Sequence, residues 1–283
     1  MHGTARAPAA GTVLNALATG YGSAFAIDAY TTAEVTLEDS GEVRGEVAGA
    51  PDADTRLIER CVERCVERFG AGEGGRVRTD SEVPMAAGLK SSSAAANATV
   101  LATLDALDAR DGVEREDACR IGVRAARDAG VTVTGAFDDA SASMLGGVTV
   151  TDNADDELLA RDPVEWDVLV YSPDDRAYSA DADVARCERV APVADLVWEL
   201  ALDGCYATAM TVNGFAFCGA LEFPTEPLVT ALPDAAGVSL SGTGPSYTAV
   251  GDRAALERVR ETWSDLEGDT WLTTTQTDGA RTT

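Results

Sequence analysis

A serine-rich loop that contains the only lysine carries the clearest chemical signal in this 283-residue sequence. The loop reads Pro84-Met85-Ala86-Ala87-Gly88-Leu89-Lys90-Ser91-Ser92-Ser93-Ala94, and an alanine-rich helical run follows it directly. A loop at a helix N-terminus presents unpaired backbone N–H groups with partial positive charge, which favour phosphate. The pattern therefore predicts a polyphosphate cradle for a bound nucleotide. In it, Gly88 lets the backbone approach closely, Lys90 supplies the cation and Ser92 is the candidate Mg²⁺ ligand.

A second interpretation of the loop is purely structural. The three serines would then cap the following helix, and Lys90 would be solvated beside them. The sequence contains neither G-x-x-x-x-G-K-[ST] nor a G-x-G-x-x-G between a strand and a helix, which disfavours a P-loop or a Rossmann nucleotide site.

A glycine-rich segment near the C-terminus is the second candidate. It reads Leu240-Ser241-Gly242-Thr243-Gly244-Pro245-Ser246. Two glycines around a small hydroxyl residue leave room for phosphate or substrate oxygens, so we predict that Gly242, Thr243 and Gly244 approach a ligand. The alternative is a plain tight turn. Asn15 is expected to contact either the substrate or this same loop.

An α+β scaffold must bring these segments together, because stretches with strand and helix patterns alternate along the chain. We predict helices over 54–69, 94–109, 116–129, 193–202 and 254–264. Strands are expected over 33–37 and 43–47 around an Asp-Ser-Gly turn, and over 76–79, 148–151, 166–171, 238–241 and 247–250. The acidic stretch 152–157 predicts a boundary near residue 155, and hence domains over 1–155 and 156–283.

The composition excludes several classes of function. Asp plus Glu number 48 against 22 Lys plus Arg, and the formal net charge of -26 repels nucleic acid. The only histidine is His2, which excludes a Ser-His-Asp triad and a histidine metal site. Cys61 and Cys65 could bind zinc, but they share an apolar helical stripe that favours core packing. Without a membrane span or paired cysteines, a cytoplasmic protein is expected, and a homo-oligomer stays open.

Three motifs in order resemble the GHMP kinases, the superfamily of galactokinase, homoserine kinase, mevalonate kinase and phosphomevalonate kinase. The 84–94 segment is similar to their second motif, the run from Thr134 to Gly146-Gly147 to their acidic segment, and the 240–246 segment to their third motif. Within this superfamily, the run 11–20 and Lys90 in Gly-Leu-Lys-Ser-Ser-Ser-Ala resemble the archaeal type of shikimate kinase. The Gly-Glu-His signature of mevalonate kinases and galactokinases is absent from the N-terminal region.

The resemblance implies an N-terminal domain like ribosomal protein S5 domain 2 and a ferredoxin-like C-terminal domain, with ATP and Mg²⁺ between them. It implies phosphorylation of the 3-hydroxyl of shikimate, a small-molecule substrate. Asp139, eight positions before Gly147, is the implied catalytic base, with Asp138 as the neighbouring alternative. Lys90 is the other expected catalytic residue, whose charge would offset that of the bound nucleotide. Homoserine or mevalonate kinase activity and a non-catalytic nucleotide-binding role are the other interpretations. An arginine suits the shikimate carboxylate, and Arg6 lies nearest to the N-terminal motif.

The acidic, lysine-poor composition predicts that the fold depends on salt. At molar salt the Debye length is about 3 Å, so repulsion among the carboxylates is screened. We expect the melting temperature to rise by about 10 °C between roughly 0.1 and 3 M KCl, which corresponds to about 3 kcal/mol. Sucrose, which stabilises without screening charge, is the control. An identical melting temperature at both KCl concentrations would refute the prediction.

Overall fold

The computed structural model describes residues 1–39, 41–84, 87–174 and 182–283, which form strands and helices in alternation. The strands are β1 (His2–Leu14), β2 (Tyr21–Glu38), β3 (Val43–Val47), β4 (Gly74–Ser81), β5 (Val148–Asp152), β6 (Glu157–Asp162), β7 (Asp167–Ser172), β8 (Gly237–Leu240), β9 (Tyr247–Gly251), β10 (Asp269–Thr274) and β11 (Arg281–Thr282). The helices are α1 (Arg56–Phe69), α2 (Ser91–Ala106), α3 (Arg115–Ala129), α4 (Phe137–Leu145), α5 (Val184–Cys187), α6 (Ala191–Leu202), α7 (Tyr206–Leu221), α8 (Glu226–Ala231) and α9 (Arg253–Trp263).

The first sheet contains seven of the described strands. Strands β11, β1, β2, β4 and β3 lie side by side in that order, while β5 pairs with the start of β2 and with β6. Helices α1 to α4 pack on this sheet around one apolar core, and both Cys61 and Cys65 are buried there. The prediction that these two cysteines pack in the core is therefore confirmed. Among the described residues, no helix has the length and apolar character needed to cross a membrane.

Helix α2 lies at the centre of this helical layer because its sequence is rich in alanine. Most of its residues are buried, and it contacts β1, β2, α1 and α3. A Cβ atom at Gly3 of β1 would lie 2.1 Å from the carbonyl oxygen of Ala102, so strand and helix touch through their backbones. The helix begins at Ser91 rather than at the predicted residue 94, which puts all three serines in its first turn.

The second sheet is antiparallel, with the strand order β10-β7-β9-β8. The chain passes from β7 through α6 and α7 to β8 and β9, and then through α9 to β10. This order is the β-α-β-β-α-β arrangement of ferredoxin-like domains. The predicted ferredoxin-like C-terminal half and the α+β class are therefore confirmed.

The two sheets share a core and are joined by hydrogen bonds. Apolar residues of β1, β2 and β5 pack against β7, α6 and α7 in one buried cluster. The hydroxyl of Tyr206 in α7 donates a hydrogen bond to Asp162 in β6. Strand β11 then returns to the first sheet, where Arg281 pairs opposite Arg6 of β1.

The acidic stretch 152–157 is the turn of the β5–β6 hairpin, and both strands of this hairpin belong to the first sheet. The predicted boundary near residue 155 therefore falls inside that sheet. The second sheet starts at β7, so we propose that the division between the two halves lies in 163–166. The domain limits remain a proposal, since β11 belongs to the first sheet although it follows the second along the chain.

The strands predicted over 33–37 and 43–47 are confirmed as part of β2 and as β3, but the two do not pair with each other. Strand β4 lies between the two: it pairs antiparallel with β2 and parallel with β3. Ser40 of the expected turn lies outside the described residues. The sequence pattern shows two strands separated by turn residues, but β4, which follows both along the chain, pairs with the edge of β2 instead.

Candidate active site

The serine-rich loop of residues 84–94, called the serine loop below, has an unusual backbone conformation at Lys90. Its φ of 63° and ψ of 28° are left-handed, and it immediately precedes the first turn of α2. Ser92 is exposed, Ser93 is buried, and the first turn of α2 contains no acidic residue. The first-turn N–H groups have no intrahelical acceptors, so this end of α2 offers only donors and positive charge.

The predicted ATP-binding residues are distributed unevenly around this turn. Pro84 is exposed, whereas Ala87, Leu89 and Ala94 are buried and support the loop from below. Met85 and Ala86 lie outside the described residues. The donor set of backbone amides, serine hydroxyls and a lysine is chemically suited to a polyphosphate.

The serine loop is joined directly to the glycine-rich loop. Gly88 has a φ of 79°, and a Cβ atom there would lie 2.3 Å from the carbonyl oxygen of Ser241. The Ser241 hydroxyl donates to the Gly88 carbonyl at 2.8 Å, and the Ser246 amide donates to the Ala87 carbonyl at 3.3 Å. Glycine at position 88 is therefore required by contact with a second loop, as well as by any approach of a ligand.

Buried polar side chains hold the glycine-rich loop on the other side. The Gly242 amide donates to Thr12 Oγ1 at 2.7 Å, and Asn15 Nδ2 donates to the Gly242 carbonyl at 2.8 Å. The Oδ1 atom of Asn15 accepts from the Leu17 amide at 2.9 Å, so both ends of this amide side chain are used. Of its two predicted contacts, Asn15 makes the one with the loop. The side-chain oxygen of Asn213 in α7 accepts a hydrogen bond from the backbone N–H of Asn15 at 2.9 Å.

The glycines of this loop allow close packing. A Cβ atom at Gly242 would lie 3.0 Å from Lys90 Nζ, and one at Gly244 would lie 2.5 Å from the ring of Phe223. Thr243 between them is 9% exposed. The loop thus lies against the lysine of the serine loop, and the structure brings the two predicted phosphate-binding segments together.

Lys90 meets Asp139 at the junction of these loops. The Nζ and Oδ1 atoms are 2.7 Å apart, and the two side chains are 8% and 15% exposed. Asp139 lies in the first turn of α4, which follows Ala136 in a left-handed conformation. The sole lysine of the chain therefore forms an ion pair with the carboxylate that the sequence predicts as the base.

The neighbouring acid has a different environment. Asp138 is 4% exposed, and its Oδ1 accepts from Asn153 Nδ2 at 2.7 Å. Burial, and secondarily the charge of Asp139, raise the pKa of Asp138 from 3.8 to about 7. A Cβ atom at Gly22 would lie 2.6 Å from this side chain, so glycine makes room for it. Asp138 is enclosed by protein, whereas Asp139 faces the lysine.

Helix α2, which follows the serine loop, is linked to α4, which carries Asp139. Asn97 of α2 is fully buried and donates from Nδ2 to the carbonyl of Ala140 in α4 at 2.8 Å. Asn97, Thr12, Asn213 and Asn153 are site residues that sequence reasoning missed. A single polar residue within an apolar run, such as Asn213 in α7, was the one available signal.

Arg6, the sequence candidate for a substrate carboxylate, lies elsewhere. Its guanidinium carbon is 4.3 Å from the ring centre of Tyr30. It is six residues before Thr12 on β1, or about 20 Å of extended strand. The structure does not bring Arg6 to the paired loops.

Comparison with known proteins identifies the family. Residues 56–147 match the family described as GHMP kinases N terminal domain. A protein of Halobacterium salinarum named shikimate kinase is 67% identical, with both chains covered completely. The chain belongs to the shikimate kinases of the GHMP kinase family. Another shikimate kinase, from Methanothrix thermoacetophila, is 54% identical over 95% of this chain and 92% of its own.

Among solved structures, a homoserine kinase from Cytophaga hutchinsonii has a TM-score of 0.79 and 17% identity. The match covers 100% of this chain and 97% of that one. At this identity the likeness shows the fold alone. The shikimate kinase chain therefore has the two-part GHMP kinase fold that the three motifs predict.

Replacement of Lys90 tests whether it binds phosphate. We expect Lys90→Gly to raise the KM for ATP by about tenfold or more, because a charge-assisted contact contributes about 1.5–3 kcal/mol. Glycine suits the left-handed backbone at this position, so the fold should tolerate it better than alanine. Initial rates against ATP concentration, together with melting curves, provide the measurement.

The matched control for this variant is Arg260→Ala, which removes one positive charge from an exposed site on α9. It should leave the KM for ATP unchanged. An unchanged KM in Lys90→Gly, with a normal melting curve, would show that Lys90 has no part in ATP binding.

Proposed function

We propose that the protein transfers the γ-phosphoryl group of ATP to the 3-hydroxyl of shikimate, giving shikimate 3-phosphate and ADP. The observation that carries this proposal is the Lys90–Asp139 ion pair of 2.7 Å at the junction of the serine and glycine loops. It places a cation and a carboxylate beside a donor-rich helix end, as phosphoryl transfer to an alcohol requires. The choice of shikimate as the acceptor rests on the two archaeal relatives.

The serine loop, with the first-turn amides of α2, binds the polyphosphate in this proposal. Mg²⁺ would neutralise charge on the β- and γ-phosphates, with the exposed Ser92 hydroxyl as its ligand from this chain. Within the described ranges, no three His, Cys, Asp or Glu side chains cluster in a way that could hold a metal ion. A site with this set of side chains suits a magnesium ion that is bound mainly through substrate phosphate and water.

The chemical step forms one bond and breaks another. The 3-hydroxyl oxygen of shikimate attacks the γ-phosphorus, and the bond from that phosphorus to the β–γ bridging oxygen breaks to release ADP. Asp139 accepts the hydroxyl proton, while Lys90 offsets the negative charge between carboxylate and phosphate. Lys90 and Asp139 are the catalytic residues of this proposal.

Asp139 is better suited than Asp138 to act as the base. The carboxyl of Asp138 is enclosed by Gly22 and Asn153, while Asp139 faces Lys90 at the edge of the serine loop. A base must reach the hydroxyl from which it takes the proton, so exposure toward the loops decides between the two.

Homoserine and mevalonate kinases share the fold, but at 17% identity or less they do not determine the substrate of this chain. A non-catalytic nucleotide-binding role is disfavoured because the loops and the ion pair are all present. The six cysteines are free and five are buried, which suits the reducing cytoplasm that we propose as its compartment. A homo-oligomer stays a prediction.

Substrate choice is tested by ADP release in about 2–3 M KCl, where the Debye length falls below about 3 Å. We expect turnover with shikimate, and rates at the no-acceptor background with homoserine and mevalonate. Phosphorus NMR of the product should show a phosphate monoester on the 3-oxygen. Turnover that is faster with either other alcohol would contradict the proposal.

Asp139→Asn keeps the shape of the side chain but removes the base. We expect kcat to fall by about 10²–10⁴-fold, the usual contribution of general-base assistance. The KM for ATP should stay within about threefold, because the serine loop supplies the phosphate contacts. Steady-state kinetics at saturating shikimate provide the measurement.

Asp138→Asn is the matched comparison, since it makes the same substitution one residue away and keeps an oxygen that accepts from Asn153. Its kcat should fall far less. A severe loss in Asp138→Asn with normal turnover in Asp139→Asn would assign the base to Asp138. Full activity in both variants would show that neither carboxylate acts in the reaction.

A further inference from the structure

Asn153 lies in the hairpin turn after β5, 2% exposed, and its side chain closes the start of α4. Its Oδ1 accepts from the Asp138 amide at 3.0 Å, and its Nδ2 donates to Asp138 Oδ1 at 2.7 Å. One side chain thus binds both the backbone and the carboxyl of the residue next to Asp139. We call this reciprocal pair of hydrogen bonds the Asp138–Asn153 clamp.

The clamp compensates for a missing cap. Ala136, the residue before α4, has no side-chain oxygen to accept a first-turn amide. The amide of Asp138 is the second in the helix, and it is one of the two that an N-cap side chain normally binds. Asn153 supplies this acceptor from a distant part of the chain, so the direction in which α4 begins depends on the hairpin turn.

Asn153 is itself held from several sides. Thr151 Oγ1 donates a hydrogen bond to Asn153 Oδ1 at 2.9 Å. The backbone N–H of Asn153 donates to the Gly20 carbonyl at 3.0 Å. Arg127 of α3 donates to its carbonyl at 3.1 Å and also forms an ion pair with Asp156. Fixed contacts to β5, to the loop before β2 and to α3 make Asn153 a rigid point of attachment for α4.

We propose that Asn153 is a positioning residue that acts through the Asp138–Asn153 clamp to aim Asp139 at the acceptor hydroxyl. This inference rests on the proposed function, in which Asp139 takes the proton of that hydroxyl. A small misplacement of a reacting group can cost about 10²-fold in rate. Loss of the clamp therefore lowers kcat, while the serine loop continues to bind ATP.

The charges around the clamp make its chemistry testable by pH. Asp138 faces Asn153, Asp139 and Lys90, and the Arg127–Asp156 pair lies on the far side of Asn153. In Asn153→Asp, a second carboxyl would face Asp138, and the pair would close only when the two share a proton. In the double variant Asp138→Asn/Asn153→Asp, donor and acceptor exchange places and the clamp is restored without that proton.

The experiment measures kcat and the KM for ATP at about pH 6 and pH 8 for three variants in high KCl. Asn153→Leu should lose about 10–100-fold in kcat at both pH values, with the KM for ATP within about threefold of wild type. The kcat of Asn153→Asp relative to wild type should rise by about tenfold or more from pH 8 to pH 6. The double variant should recover most of the wild-type kcat at both.

Ala154→Asp is the control, because it adds the same charge at the exposed neighbouring position. It should match wild type at both pH values. Melting curves show which variants are folded, and if Asn153→Leu does not fold, the pH ratio of Asn153→Asp still decides the question.

Three results would overturn the clamp. They are a wild-type kcat in folded Asn153→Leu, a pH profile of Asn153→Asp equal to that of Ala154→Asp, and a folded double variant as slow as Asn153→Leu. Asp139→Asn is measured in parallel. If it retains wild-type turnover, the proposed role of Asp139 fails; if it is inactive while Asn153→Leu is normal, only the clamp fails.

Discussion

The site depends on one ion pair between two nearly buried groups. Lys90 and Asp139 are 8% and 15% exposed, and a buried charge without a partner costs several kcal/mol. The serine loop and α4 must therefore stay together before any substrate arrives. Incoming phosphate would compete with Asp139 for the same ammonium group, which leaves the carboxylate free to turn toward a hydroxyl. In the proposed reaction, phosphate that binds Lys90 would in this way release Asp139 to act as the base.

Buried side-chain amides hold the elements around Lys90 and Asp139 in fixed relative positions. Asn97 links α2 to α4, Asn15 and Asn213 link β1, α7 and the glycine loop, and Asn153 links α4 to the β5 hairpin. An amide has a donor and an acceptor on one rigid plane, so it can join two backbone segments at a fixed distance. It does so without a further charge next to Lys90 and Asp139. In a chain with a net charge of -26, neutral links avoid more repulsion around the site.

The sequence allowed prediction of the segments that the structure brings together at the candidate site, because each belongs to a short local pattern. The serine loop, the Gly242–Gly244 segment and Asp139 can each be located from neighbouring residues and a fixed spacing. The supporting residues could not be found in this way. Asn15 and Gly242 are 227 positions apart, and nothing near either one indicates the other. Helix α7 was missed for a related reason: it is apolar on nearly all sides, so its sequence lacks the one-sided periodicity of a surface helix.

Strand β11 joins the first sheet late in the synthesis of the chain. Ala5 and Arg6 on the outer edge of β1 pair with residues 281–282, so these two positions gain their strand partner only after the intervening chain has been synthesised. An unpaired strand edge can recruit a second chain, and contacts between distant residues form slowly. During synthesis, this two-residue pairing can therefore form only after the strands of the second sheet have been made. Arg6 and Thr4 on this part of β1 carry polar side chains, so the strand edge is a poorer template for aggregation than an apolar edge would be.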